Sequence, residues 1–306
     1  MLWAVASALF LLLHLAPGGP LVALSGEFAT AETVAEIEAQ FGLDRPLIEQ
    51  YGTFLANLAT GELGMSYVHK RPVAEVVLAH LPATLVLIVP AMALAALICI
   101  PLGIVSARRG TAGPVIILCA LITFAVPIFW LGHLLRLGIS VEFGLLPIQG
   151  MANPRLPAEG IAYVVDVARH AILPWLTLTL HQMAFTVLVT AAAMRAETGR
   201  PYFLTALVKG NSRWRAESRH ALPNGAAPLF ALFGNRVGWL IAGAVLVETV
   251  FAWPGLGQLV TAAIQNRDTP LVIGVVLLAA LFTMLANLVA DLAIAATDPR
   301  VREGLT

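Results

Sequence analysis

Charge is scarce in this sequence. Only 12% of its 306 residues are Asp, Glu, Lys or Arg, and 18 bases balance 18 acids. The basic surplus that nucleic-acid phosphates demand is missing. Cysteine is rarer still: Cys99 and Cys119 both lie inside apolar runs. They read as small buried hydrophobes, which excludes a disulfide framework or a thiolate metal centre. The phosphate-cradling pattern G-x-x-x-x-G-K-[ST] is absent, so any ATP chemistry must come from another polypeptide. The patterns H-E-x-x-H and G-x-S-x-G and paired intramembrane aspartates are absent as well, which weighs against an intramembrane enzyme. The seven histidines (His14, His69, His80, His133, His170, His181 and His220) fall on different segments without a close helical pair. They do not suggest a metal cluster, and only His181 sits well within an apolar span. No alternating strand pattern of useful length and no internal repeat occurs.

What the sequence has in abundance is apolar length. Hydrophobic residues make up 59% of the chain, and the mean hydropathy is +0.85. Both values belong to integral membrane proteins. Stretches near the roughly 20 residues that cross a bilayer as a helix are Ala83–Ala107, Gly113–Leu135, His170–Met194, Ala226–Val250 and Pro270–Ala296. Met1–Ala16 is short for a span. It lacks the basic start and small-residue cleavage site of a signal peptide and reads as a first transmembrane helix with a shortened start. The expectation is an all-α, polytopic membrane protein of six transmembrane helices with an external helical segment. Residues 1–82 would hold the first helix and the external region, and residues 83–306 the core with the other five.

Lys and Arg counts set the orientation. The loops 106–112, 195–225 and 298–306 hold ten, whereas 17–82, 138–169 and 251–269 hold six despite their greater length. The first set is expected in the cytoplasm, with both termini. In the external region Thr30 or Thr33 can cap a short acidic helix to Gly42, and Asp44 can cap another that ends near Gly61. Pro90, Pro101, Pro127 and Pro174 lie inside spans and read as packing kinks, tolerated where neighbours satisfy the freed carbonyls. Asp291, near the inner end of the sixth helix, reads as a structural pairing partner.

The loop "RPYFLTALVKGNSRWRAESRHALP" breaks the apolar pattern with five Lys/Arg and one acid, Glu217. Pro201 suits a first helical position and Gly210 a stop. Between them Phe203, Leu204, Leu207 and Val208 form an apolar stripe, and a second short helix follows Asn211. Such a pair could lie on anionic lipid, satisfy the positive-inside rule, or dock a soluble partner in a groove. The sharp Lys209–Gly210 punctuation favours docking.

"YFLTALVKG" followed by "HALPNGAAP" resembles the coupling loop of ABC importer permeases, in their dipeptide, oligopeptide and nickel branch. Tyr202, Thr205, Ala206, Lys209, Gly210, His220, Ala221, Leu222 and Asn224 match the motif. "HLAPGGP", "FGLDRPLIEQYGTFLANLATGELGMSY", "AGAVLVETVFAWPGLGQLVTAAIQNRDTPLVIG" and "NLVADLAIAATDPRVR" look like that branch in order and spacing. The resemblance implies a type I permease subunit in a bacterial inner membrane, forming the path for peptides, nickel, glutathione-like compounds or small glycans. It implies a coupling role for Tyr202, Thr205, Ala206, Lys209, Gly210, His220 and Asn224. It also implies a second, homologous permease, two cytoplasmic ATPase subunits carrying ATP and Mg, and an external substrate-binding protein. The loop departs from the family at Pro201, where an acid is usual, and at Leu204, Leu207 and Pro223, where arginine is usual. Pro223 should end the second helix early.

Three residues are candidates for the translocation path: Arg236, His181 and Glu248. Arg236 lies deep in its span, where a guanidinium facing lipid is costly. It either pairs with an acid of the partner permease or meets an anionic group of the cargo. Glu248, twelve positions along the same helix, is about 18 Å away and too far to pair with it. Trp253, in "ETVFAWPGLG", suits the headgroup level, and "QLVTAAIQN" a short interfacial helix. A self-powered secondary transporter or channel is the competing class, although so few intramembrane charges are thin for ion coupling.

Overall fold

A computed structural model describes residues 2–15, 45–155 and 159–297, and the acidic helix expected up to Gly42 lies outside them. Apart from one isolated bridge between Met65 and Pro72, regular structure among the described residues is helical. The elements are α1 (Leu2–Leu15), α2 (Leu47–Thr60), α3 (Val73–Ser106), α4 (Ala112–Ala125), α5 (Ile128–Glu142) and α6 (Gly160–Thr198). There follow α7 (Pro201–Val208), α8 (Arg213–Ala216), α9 (Ala227–Phe251), α10 (Leu256–Gln265) and α11 (Thr269–Thr297). α3, α6, α9 and α11 are each long and apolar enough to cross a membrane, and α4 with α5 adds a fifth crossing if the bent pair is one span. The chain is a polytopic all-α membrane protein. Against the six crossings expected, α1 has only 14 residues, short of the roughly 20 that a bilayer needs.

Pro127 does more than kink a span. α4 and α5 meet at 101°, because a residue before proline is driven out of the helical region. Val126 is accordingly extended, with ψ of 125°. Pro90 and Pro174 leave their helices running. Proline at 90 has no N–H for the carbonyl of Val86, and the indole Nε1 of Trp175 donates to that oxygen instead, at 2.8 Å. A π turn over Ala95–Cys99 precedes Pro101 in α3. One turn before it, Ala91 O accepts from Thr179 Oγ1 at 3.2 Å.

The chain divides into two compact units, residues 1–84 with 254–281 and residues 85–253 with 282–306. In the first, Val73, Val76 and Val77 of α3 pack with Leu256, Leu259 and Ala263 of α10 and Leu271 and Val275 of α11. α1 lies on α2, where Phe10 meets Tyr51 and Phe54 at 5.3 and 5.5 Å between ring centroids. α2 starts at Leu47 with Pro46 in the cap position, without a side-chain cap and two residues beyond the cap expected at Asp44. Its end is as expected, with Gly61 left-handed at φ 81°.

In the second unit α6, 39 residues long, packs against the end of α3 and against α4, α5 and α9. Trp253 is fully buried within the protein. The chain turns through left-handed Ala252, at φ 48°, and this swings the indole inward. Arg136 Nη1 donates to Val250 O, and Gly150 N to Phe251 O, each at 2.8 Å. Cys99 is buried as expected, whereas Cys119 is exposed on the outer face of α4.

Asp268 organises the first unit. Its carboxylate, fully buried, accepts from Ser66 Oγ at 2.5 Å and from the backbone N–H of Tyr67 and Val68 at 3.1 Å. It thereby ties the 65–72 turn to the residue before α11. Burial, and then the charge of Asp268, push the Tyr67 phenol from its ordinary 10.0 up to about 12. The folded state therefore holds this proton where the unfolded chain has lost it, and stability should fall as pH rises from 10 to about 12. In Asp268→Asn the Tyr67 midpoint should move partway back down, because burial, the larger cause, remains. Phenolate absorbance, with Tyr67→Phe as the subtraction, measures it; an unmoved midpoint would show that the carboxylate does not act on the ring.

Candidate functional site

The basic loop is built from the ends of its neighbours. Arg200 is extended, at ψ 150°, and Pro201 opens α7 at a position where its missing N–H costs nothing. Gly210 stops the helix at φ 86°. Asn211 closes the end, its Nδ2 donating to Ala206 O at 3.0 Å. Ser212 caps α8 by accepting from Arg215 N at 3.4 Å. From α8 the chain continues helically through a π turn, Glu217–Ala221, into Leu222–Asn224. Pro223 therefore does not end the helix early. The wide turn hands Glu217 O to the N–H of Leu222, so proline at the next position falls in a fresh first turn, where it is tolerated.

A small core holds the loop down. Phe203, Ala206, Ala216 and Ala221 pack with Ile104 of α3 and Met194 of α6. Half-buried Tyr202, Leu207 and Leu222 border that core. Two buried acids complete it. Glu197 accepts from Tyr202 OH at 2.6 Å and pairs with Arg200 at 3.1 Å. Glu217, 1% exposed, accepts from Arg108 Nε at 3.1 Å and Arg213 Nε at 3.0 Å. Arg108 also stacks over Trp214, at 5.7 Å. Burial, and then the bond to Glu197, raise the Tyr202 phenol above its ordinary value.

The stripe on α7 is therefore narrower than expected. Phe203 and Ala206 point in, whereas Leu204 and Val208 are 62% and 88% exposed. These two lie four residues apart on one helical face. Thr205, Lys209 and Gly210 stand beside them in solvent, as do His220 and Asn224 on the second arm. Of the seven residues that the resemblance marks, Ala206 serves the core, Tyr202 straddles it, and five form the exposed rim.

Arg236 and His181 come together, and Glu248 does not join them. A cavity of about 200 Å³ is lined by Ile128 of α5, by Leu178, His181 and Gln182 of α6 and by Arg236, Trp239 and Leu246 of α9, among others. The Arg236 guanidinium lies over the Phe185 ring, 3.3 Å from its centroid. Phe185 meets Phe124 edge-on at 4.7 Å, and Phe124 lies 5.7 Å from the His181 ring. Glu248 is fully buried and does not line this space. Asp291 is exposed on α11, without a pairing partner among the described residues.

Residues 99–303 match the family described as the binding-protein-dependent transport system inner membrane component, and residues 1–88 match its N-terminal companion family. The chain belongs to this family. It is 35% identical to the dipeptide transport system permease protein DppB of Escherichia coli strain K12, covering 96% of this chain and 92% of that protein. It is 36% identical to the probable D,D-dipeptide permease DdpB of the same strain, with the same coverage. To the glutathione permease GsiC of E. coli O6:H1 it is 33% identical, over 98% of this chain and 94% of that one. The binding-protein-dependent permeases are transport subunits, and that is what this chain is.

Glu217 had no role assigned from the sequence of this permease, although a lone acid among five bases was the signal. Its carboxylate is the buried end of two ion pairs whose guanidinium ends are 31% and 56% exposed. Because both cations keep some water, Glu217→Gln should cost only about 1–2 kcal/mol. That loosening should speed tryptic cleavage at Lys209, Arg213 and Arg215 about tenfold in the solubilised protein. Cleavage at the parental rate would mean that the clasp does not hold the loop.

Proposed function

We propose that this chain forms part of the translocation path of an ATP-driven importer for peptides or a similar small solute. ATP and Mg would be bound by two partner ATPase subunits, a second homologous permease would complete the path, and an external binding protein would deliver the cargo. The observation that carries this reading is the loop between α6 and α9. Its core and two buried acids pin it to the ends of α3 and α6, while Leu204 and Val208 stay uncovered on an eight-residue helix. An apolar helical face in a groove is a recurrent docking mode, and dipeptide and glutathione permeases are among the relatives. Leu204 in place of a usual arginine makes this surface less polar, so the groove that receives it should be apolar too. Family membership favours this reading over a self-powered transporter or channel.

Family membership favours a bacterial inner membrane location, and the Lys/Arg count favours placing the loop and both termini in the cytoplasm. Residues 1–82 would then carry the external region and residues 83–306 the core.

Two substitutions test the docking. Gly210→Val meets no neighbour, because nothing lies within 4 Å of the added Cβ, but it forces a branched residue into the left-handed region at about 1–2 kcal/mol. Cargo-stimulated ATP hydrolysis should fall about tenfold with membrane insertion unchanged. Val208→Asp leaves the backbone alone and should reduce recovery of the ATPases with the permease. Undiminished coupling in both variants would refute docking through α7.

A further inference from the structure

The cavity beside α9 contains polar groups that the fold leaves unused. Gln182 is 3% exposed, yet its Nε2 meets no acceptor. The adjoining His181 has a buried Nδ1 without a partner. Arg236 brings a guanidinium to the same space, and among the described residues no carboxylate or carbonyl reaches it. Buried donors and cations at membrane depth are costly unless something answers them. In an otherwise apolar wall they mark the place where an acceptor belongs.

The geometry narrows that acceptor. Stacking on Phe185 takes up the flat face of the guanidinium, while its five N–H donors lie in the plane and stay free. A planar fork of donors with a neighbouring amide N–H suits a carboxylate, which accepts two parallel bonds. No acid lines the cavity. At about 200 Å³ it holds several times the roughly 30 Å³ share of one water, and less than a drug-sized ligand fills. It suits one end of a small solute. Trp239, 71% exposed, forms part of the wall, so the site is a niche at the edge of α9 rather than a sealed chamber. A transport path needs sites that a solute can leave as well as enter.

We propose that this niche is a carboxylate station on the transport path, where Arg236 and Gln182 hold the acidic end of the passing solute. The inference rests on the importer function proposed above. An acidic side chain of the second permease subunit would offer the same chemistry, and the test separates the two sources.

The complete complex, with its ATPases and binding protein, is reconstituted in vesicles, and ATP-driven uptake of a dipeptide is compared with that of its C-terminal amide. The binding protein is common to all variants, so its own preference cancels when their ratios are compared. Arg236→Gln should leave the complex intact and lower the dipeptide-to-amide ratio about tenfold, with Arg236→Lys recovering part of it. Gln182→Leu, which keeps the charge, should lower the ratio about threefold. An unchanged ratio in both Arg236→Gln and Gln182→Leu overturns the station. So does loss of the second permease from the Arg236→Gln complex with its return in Arg236→Lys, which would assign the guanidinium to an acid of the partner. A parental complex that takes up neither compound with ATP would instead overturn the importer function on which the station rests.

Discussion

Backbone amides in hydrocarbon have no water to turn to, and the rest of this chain is arranged around that constraint. The long apolar segments among the described residues are helical, and two carbonyls of α3 are met by side chains of α6. The carbonyl freed by Pro90 is met by the Trp175 indole, and Ala91 O by Thr179. At the corner after α9, Arg136 and Gly150 reach Val250 and Phe251. Pro90 can thus sit within α3 without orphaning the carbonyl of Val86.

Several of the few charges sit at helix ends and in loops and do structural work there. Glu197 and Glu217 each pull a basic loop segment against the end of a span. Asp268 does the same for the turn before α3. A buried carboxylate is expensive alone and stable when several donors surround it. The loops so pinned are held against the ends of their spans, α7 through Phe203 and Ala206 on Ile104 and Met194.

Apolar exposure carries two meanings in such a protein. Along the spans, Leu97, Leu118 and Val289 present ordinary surface to lipid or to a packed neighbour. On α7 the same chemistry lies outside any spanning helix, where uncovered Leu204 and Val208 have no lipid core to offset their hydration. The reverse holds at Arg236, a polar spot among apolar walls. In both places the side chain is mismatched to its surroundings.

Much of the architecture was legible along the chain. Apolar length foretold four of the six expected spans, Pro201 and Gly210 the bounds of α7, and Gly61 the end of α2, because these depend on a few adjacent residues. Block resemblance carried the family. The break at Pro127, the burial of Trp253 and the passage of the helix beyond Pro223 were not legible. Each depends on what a segment packs against, and a proline or tryptophan has the same local preference in either setting. The clasp of Glu217 with Arg108 joins residues 109 positions apart, a distance over which no periodicity speaks. Arg236 could be called costly from its depth alone. That it lies on Phe185, beside His181 and an unanswered Gln182, was decided by the packing of α9 on α6, since only helices brought together in space choose which side chains share a cavity.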